Sequence, residues 1–179
     1  MDFVRNLIEP HPYYFGDAYY DMGEYQESQN CYKEAASISE QNSLLPSLSN
    51  LCKTGFAKAK ILNNEKDINL ESVYDYHKQN KHRLFDGCMP RHIGEILLNI
   101  DDQRVSEAED WIKKAIEADS RNDMRWYLGR DYALYAELFK RKSEQPKVRE
   151  NLGKAIEILK ECGADGWVEK YEKELGSVL

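Results

Sequence analysis

Glycine and proline are scarce, ten and five in 179 residues, and neither clusters. A loop-rich β-sandwich needs more turn-forming residues than that. No stretch approaches the roughly 18–20 apolar residues of a membrane span. Met1–Pro10 also lacks the basic segment and apolar run of a signal peptide. The expected setting is cytoplasmic, away from membranes. The four cysteines, Cys31, Cys52, Cys88 and Cys162, form no CxxC pair. That spacing suits neither a zinc site nor a disulfide framework, so they are expected to be reduced, small hydrophobes. Of the histidines His11, His77, His82 and His92, none stands four residues from another. A helical two-histidine metal face is therefore absent. His82, in the basic run 78–83, is expected to be a cation at a helix C-terminus. Phosphate-cradling GxxxxGK[ST], GxGxxG, HExxH and GxSxG are all missing. The expectation is a non-enzyme with no cofactor and no metal. A net charge of −7 argues against nucleic acid as the main partner.

What is present is a repeat. Phe15-Gly16, Tyr19, Gly23, Tyr25, Tyr32 and Ala35 place two aromatics one turn apart on a first helix. A glycine turn follows, then a second helix carrying an aromatic and a small residue on one face. A second copy runs through Ile93, Gly94, Leu97, Ala108, Ile112 and Ala115, lengthened at Asp101–Arg104. A third runs through Tyr132, Tyr135, Ala136, Phe139, Val148, Leu152 and Ala155, with Ser143 where the turn glycine belongs. Ala35, Ala115 and Ala155 lie 80 and then 40 residues apart, so one degenerate unit fits between the first two copies. Leu48, Leu51, Gly55, Ala59 and Leu62, then Leu70, Val73, Tyr74 and His77, supply its helical faces. Cys162–Gly166 stops one helix and starts another, whose apolar face is Trp167, Val168, Tyr171 and Leu175. Ser106 through Glu109 reads as a capping box. Asp101-Asp102 and Glu107, Glu109 and Asp110 read as turn and helix N-terminal charge, not as cation ligands. The expected fold is all-α: repeats at about 9–42, 44–84, 88–120 and 124–161 in a single domain, then a capping helix at about 164–178.

This order of small, aromatic and glycine positions resembles the tetratricopeptide repeat family. The last stretch, Ala155–Trp167, is similar to the C-terminal tetratricopeptide regions of multidomain signalling ATPase and cyclase proteins. The resemblance implies a right-handed superhelical array of antiparallel helix pairs, longer than the usual 34-residue units. It also implies a protein-interaction scaffold within a larger signalling chain, holding a protein or extended peptide in a concave groove. A peptide- or small-ligand-sensing module is the alternative, and dimerisation through an exposed terminal repeat a further expectation. The groove positions carried over are Tyr13, Asp17, Tyr20 and Asp21; Ser49, Lys53 and Phe56; Arg91, Glu95 and Asn99; Arg130, Glu137, Lys140 and Arg141. Their polarity would run from acidic and aromatic to basic. Tyr13 and Asp17 stand where a chaperone carboxylate clamp needs Lys and Asn, which disfavours that ligand. Phe15 and Tyr19 are assigned to the core. Tyr13 and Tyr20 are either exposed anchors or covered by an upstream helix.

Overall fold

The computed structural model describes residues 11–42 and 46–178. The first residues of the first two expected repeats, Glu9–Pro10 and Leu44–Leu45, lie outside them. Among the described residues the chain is all-α, with nine α-helices and two 3-10 turns. It divides into two compact units between Phe85 and Asp86.

One turn design ends most of the long helices. Gly23, Asn64, Asp123, Ser143 and Gly163 all adopt positive φ, between 56° and 82°. The amide of the next residue reaches back to the carbonyl five residues earlier each time, as in Glu144 N to Phe139 O at 3.0 Å and Ala164 N to Leu159 O at 3.0 Å. This is the Schellman closure, which satisfies the last carbonyls of a helix. Left-handed geometry costs a side chain about 1–2 kcal/mol unless it is Asn or Asp. Ser143 has neither glycine's freedom nor a carboxamide. Ser143→Gly is therefore expected to stabilise the chain by about 0.5–1 kcal/mol, read as a raised midpoint in urea unfolding.

Unit 1 holds α1 (Pro12–Asp21), α2 (Tyr25–Asn42), α3 (Pro46–Leu62), α4 (Leu70–Lys78) and a 3-10 turn, Arg83–Phe85. Pro12 pre-sets the first turn of α1, and His11 Nδ1 accepts from Tyr13 N at 3.3 Å. Asn69 caps α4 through Ser72 N at 3.1 Å. The centre of unit 1 is Tyr32, which is fully buried. Gly16 of α1 and Gly55 of α3 face its ring, and a Cβ on either would stand 2.8 or 2.7 Å from it. Both glycines are there so that two helices can close on one aromatic ring.

That contact corrects the core assignment on α1. Phe15 is 48% exposed and Tyr19 half-buried, whereas Tyr13 and Tyr20 are 4% and 8% exposed. Residues on a helix advance by about 100°, so a face centred on Gly16 takes in Tyr13 and Tyr20 and turns Phe15 outward. His82 also differs from expectation: α4 stops at Lys78, and His82 lies beyond it, ahead of the 3-10 turn.

Unit 2 holds α5 (Cys88–Ile100), a 3-10 turn (Asp102–Arg104), α6 (Val105–Arg121), α7 (Arg125–Arg141), α8 (Gln145–Glu161) and α9 (Asp165–Ser177). The helices α6, α7 and α8 are 17 residues each. From Val105 to Gln145, and from Arg125 to Asp165, the starts repeat at 40 residues. Small-to-large contacts recur here too. A Cβ on Gly94 would meet Ile112 at 2.7 Å, and one on Gly129 would meet Leu159 at 2.7 Å. The expected capping box at Ser106 does not form. The 3-10 turn, capped by Asp101 on Gln103 N at 2.9 Å, runs into α6 and starts it at Val105, so Ser106 lies inside the helix. Glu109 ties α6 to α7, accepting from Tyr135 Oη at 3.1 Å and pairing with Lys113 and Lys142. Hydrogen bonds from those two lysines hold its carboxyl down to about 2. At the end of the unit, Val168 and Tyr171 of α9 are buried while Glu169, Lys170, Glu172 and Lys173 are exposed.

Candidate functional site

The second half of α2 and the first half of α3 in unit 1 bound two neighbouring clefts. One, of about 300 Å³, is lined by Tyr32, Lys33, Ala36 and Ser37 of α2 and Phe56 of α3. The other, of about 290 Å³, is lined by Ser39, Pro46, Ser49, Asn50 and Gln79. Glu40 and Lys53 line both. Their ion pair, at 2.6 Å, stands across the boundary, and Ser49 Oγ donates to Glu40 at 3.3 Å. The ammonium of Lys53 also sits 5.3 Å from the Tyr76 ring centre. Hydrogen bonding from Lys53 lowers the Glu40 carboxyl below the usual range. Lys33 is exposed, and no ion pair to it is found among the described residues. The first cleft thus combines an apolar floor of Tyr32, Ala36 and Phe56 with two lysines and one carboxylate. Such a surface can receive an apolar side chain together with a carboxylate.

Of the positions expected in a groove, the structure brings Ser49, Lys53 and Phe56 together here. The α1 positions go elsewhere. Asp17 accepts from the Tyr32 hydroxyl and lies 4.0 Å from the ammonium of Lys58, which is itself buried and 3.6 Å from the Tyr20 ring centre. Tyr13 and Tyr20 are therefore core residues, and Asp17 a polar tie between α1, α2 and α3. Asp21 ends α1, half-buried, and lines neither cleft.

In unit 2, Arg91 is a core residue. Its guanidinium meets Asp131 at 3.1 Å and Asp119 at 3.7 Å, all three side chains being buried. The remaining positions form a neutralised network. Arg141 donates to Leu98 O, and to Asn99 Oδ1 at 2.7 Å, and pairs with Asp102 at 3.6 Å and Glu137 at 3.9 Å. Lys140 pairs with Glu174 and, at 3.4 Å, with Glu137. Asn99 reaches Glu95 O at 2.8 Å, and Arg130 stacks 4.9 Å from the centre of the Trp167 ring. At the expected basic end, Asp102, Glu137 and Glu174 offset Lys140 and Arg141.

Sequence reasoning missed the α2 side of the cleft. The resemblance directed attention to the first helix of each repeat, while Tyr32, Ala36 and Glu40 sit on the second. Their spacing of four residues was a readable signal of one shared helical face.

Compared with known proteins, the chain matches no family model and no curated protein. No helix among the described residues is long and apolar enough to cross a membrane.

Proposed function

We propose that this chain is a protein-interaction module of tetratricopeptide-like, superhelical design, holding a short segment of a partner protein against the α2–α3 face of unit 1. The observation that carries this reading is the pair of clefts at Ser49, Lys53 and Phe56, positions that the family resemblance had named. Their shape suits consecutive side chains of an extended or helical segment better than one enclosed metabolite. The preferred segment carries an apolar residue next to an acidic one, for the Tyr32–Phe56 floor and the lysines. A role within a larger cytoplasmic signalling protein follows from the family resemblance and belongs to the same proposal.

The test is selection of a random peptide library on the full chain, followed by fluorescence anisotropy of the enriched peptides. Enriched sequences with an acidic–apolar pair are expected, losing at least about tenfold in affinity to Phe56→Glu. The triple variant R130E/K140E/R141E is expected to bind them as the parent does. Binding lost only in that triple variant would move the site to unit 2, and no enrichment at all would overturn the reading.

A further inference from the structure

The most unusual chemistry in the molecule lies in the core of unit 2. Asp119 of α6 and Asp131 of α7 are fully buried, and a single guanidinium, that of Arg91, faces them. Arg91 Nη1 donates to Asp131 Oδ1 at 3.1 Å. Both oxygens of Asp119 and the second oxygen of Asp131 receive no hydrogen bond from a neighbouring donor. The backbone at Gly87 closes directly on this carboxylate, since a Cβ there would stand 2.0 Å from Asp119 Oδ1. Two ionised carboxylates with three unserved oxygens and one cation cannot coexist cheaply when fully buried.

Both carboxyl groups face one nitrogen, Arg91 Nη1, at 3.7 and 3.1 Å. Two ionised carboxylates held around the same cation repel each other. One proton on the pair removes that repulsion, and the net charge of the cluster falls to zero. The other charged groups around it do not remove the need for that proton. Asp86, ahead of α5, adds a further negative charge near Asp119 and pairs with Arg121 of α6 at 3.7 Å. On α7, the ring centre of Tyr127 lies 5.0 Å from the Arg91 guanidinium and brings no charge. Helix α8 meets α7 with the apolar Leu159.

We propose that Asp119 and Asp131 share one proton at neutral pH, and that losing it loosens the α5–α6–α7 core, a proton-dependent latch built into unit 2. Burial raises both carboxyls above the ordinary range, Asp131 the further, which agrees with the geometry. The native state then binds a proton that the unfolded chain has released. Stability is complete at low pH and falls as pH rises from about 4 toward the native value. Glu109 acts in the opposite sense only below the usual carboxylate range, so the two effects occupy separate windows.

The tryptophans Trp111, Trp126 and Trp167 all lie in unit 2, so their fluorescence follows this unit within the full chain. The experiment is urea unfolding of the full chain by tryptophan fluorescence between about pH 5 and 9, for the parent and for Asp131→Asn. The ratio of their folding constants, parent over variant, is expected to fall close to tenfold per pH unit until the native pKa is passed. A ratio independent of pH would overturn the proposal. Infrared spectra of the folded parent at neutral pH supply the second readout. A protonated carboxyl C=O stretch, lost in Asp131→Asn and in Asp119→Asn, is expected. Its absence from the parent would overturn the proposal even if neither variant folds.

Discussion

Arg91→Met is expected to lower the stability of unit 2 by about 3–5 kcal/mol, the cost of stranding a buried carboxylate. Methionine nearly matches the length of the arginine stem, so cavity formation is a minor part of the loss. What disappears is the positive charge between Asp119 and Asp131 and the face it presents to Tyr127. The core has one escape, which is to take up a second proton. At pH 7, against a solution carboxyl near 3.9, that costs about 4 kcal/mol, which limits the charge part of the loss. Urea unfolding by tryptophan fluorescence measures it directly. The same experiment in an Asp131→Asn background isolates the pair. There Arg91→Met should cost about as much as in the parent, because the shared proton leaves one buried negative charge in either background. A loss within about 0.5 kcal/mol of zero for Arg91→Met alone would show that the arginine does not balance these carboxyls.

Arg91 also shows where the sequence stops speaking. Its position on a helix was legible, and so was the neighbouring small residue Gly94, where a Cβ would meet Ile112. Its burial was not, because the two carboxylates that draw it inward lie 28 and 40 residues further on. Nothing in a local pattern links residues that far apart. The helices were legible for the opposite reason. Apolar spacing, glycine turns and the 40-residue period are local or regular, and α6 through α9 follow them closely. On α1, five aromatics in eight residues (Tyr13–Tyr20) left the buried face ambiguous. Only the partner ring from α2 selects Tyr13, Gly16 and Tyr20. The candidate cleft was half legible: Ser49, Lys53 and Phe56 on its α3 side were among the positions the resemblance named, whereas its α2 side depends on which residues the adjacent helix presents.

Tyr32→Ala is expected to cost unit 1 about 3–5 kcal/mol, the range for deleting a large buried aromatic. The ring lies between two helices brought close by Gly16 and Gly55, and its hydroxyl donates to Asp17. Removing it vacates the contact of α1 with α2 and of α3 with α2 together, and leaves Asp17 one donor short. Unit 1 contains no tryptophan, so the readout is hydrogen exchange of the amides in α1 to α3, with those of α6 to α8 as the internal reference. A glycine variant separates packing from hydrogen bonding. In the parent, Gly55→Ala puts a methyl 2.7 Å from the ring and should cost about 1–3 kcal/mol. In the Tyr32→Ala background the same methyl enters the space the ring has left. Alanine also favours the helix over glycine by about 1 kcal/mol, so the substitution should then stabilise. That reversal of sign requires the ring and the glycine to be in direct contact. Two additive losses would place Tyr32 elsewhere in unit 1, and with it the floor of the proposed docking cleft.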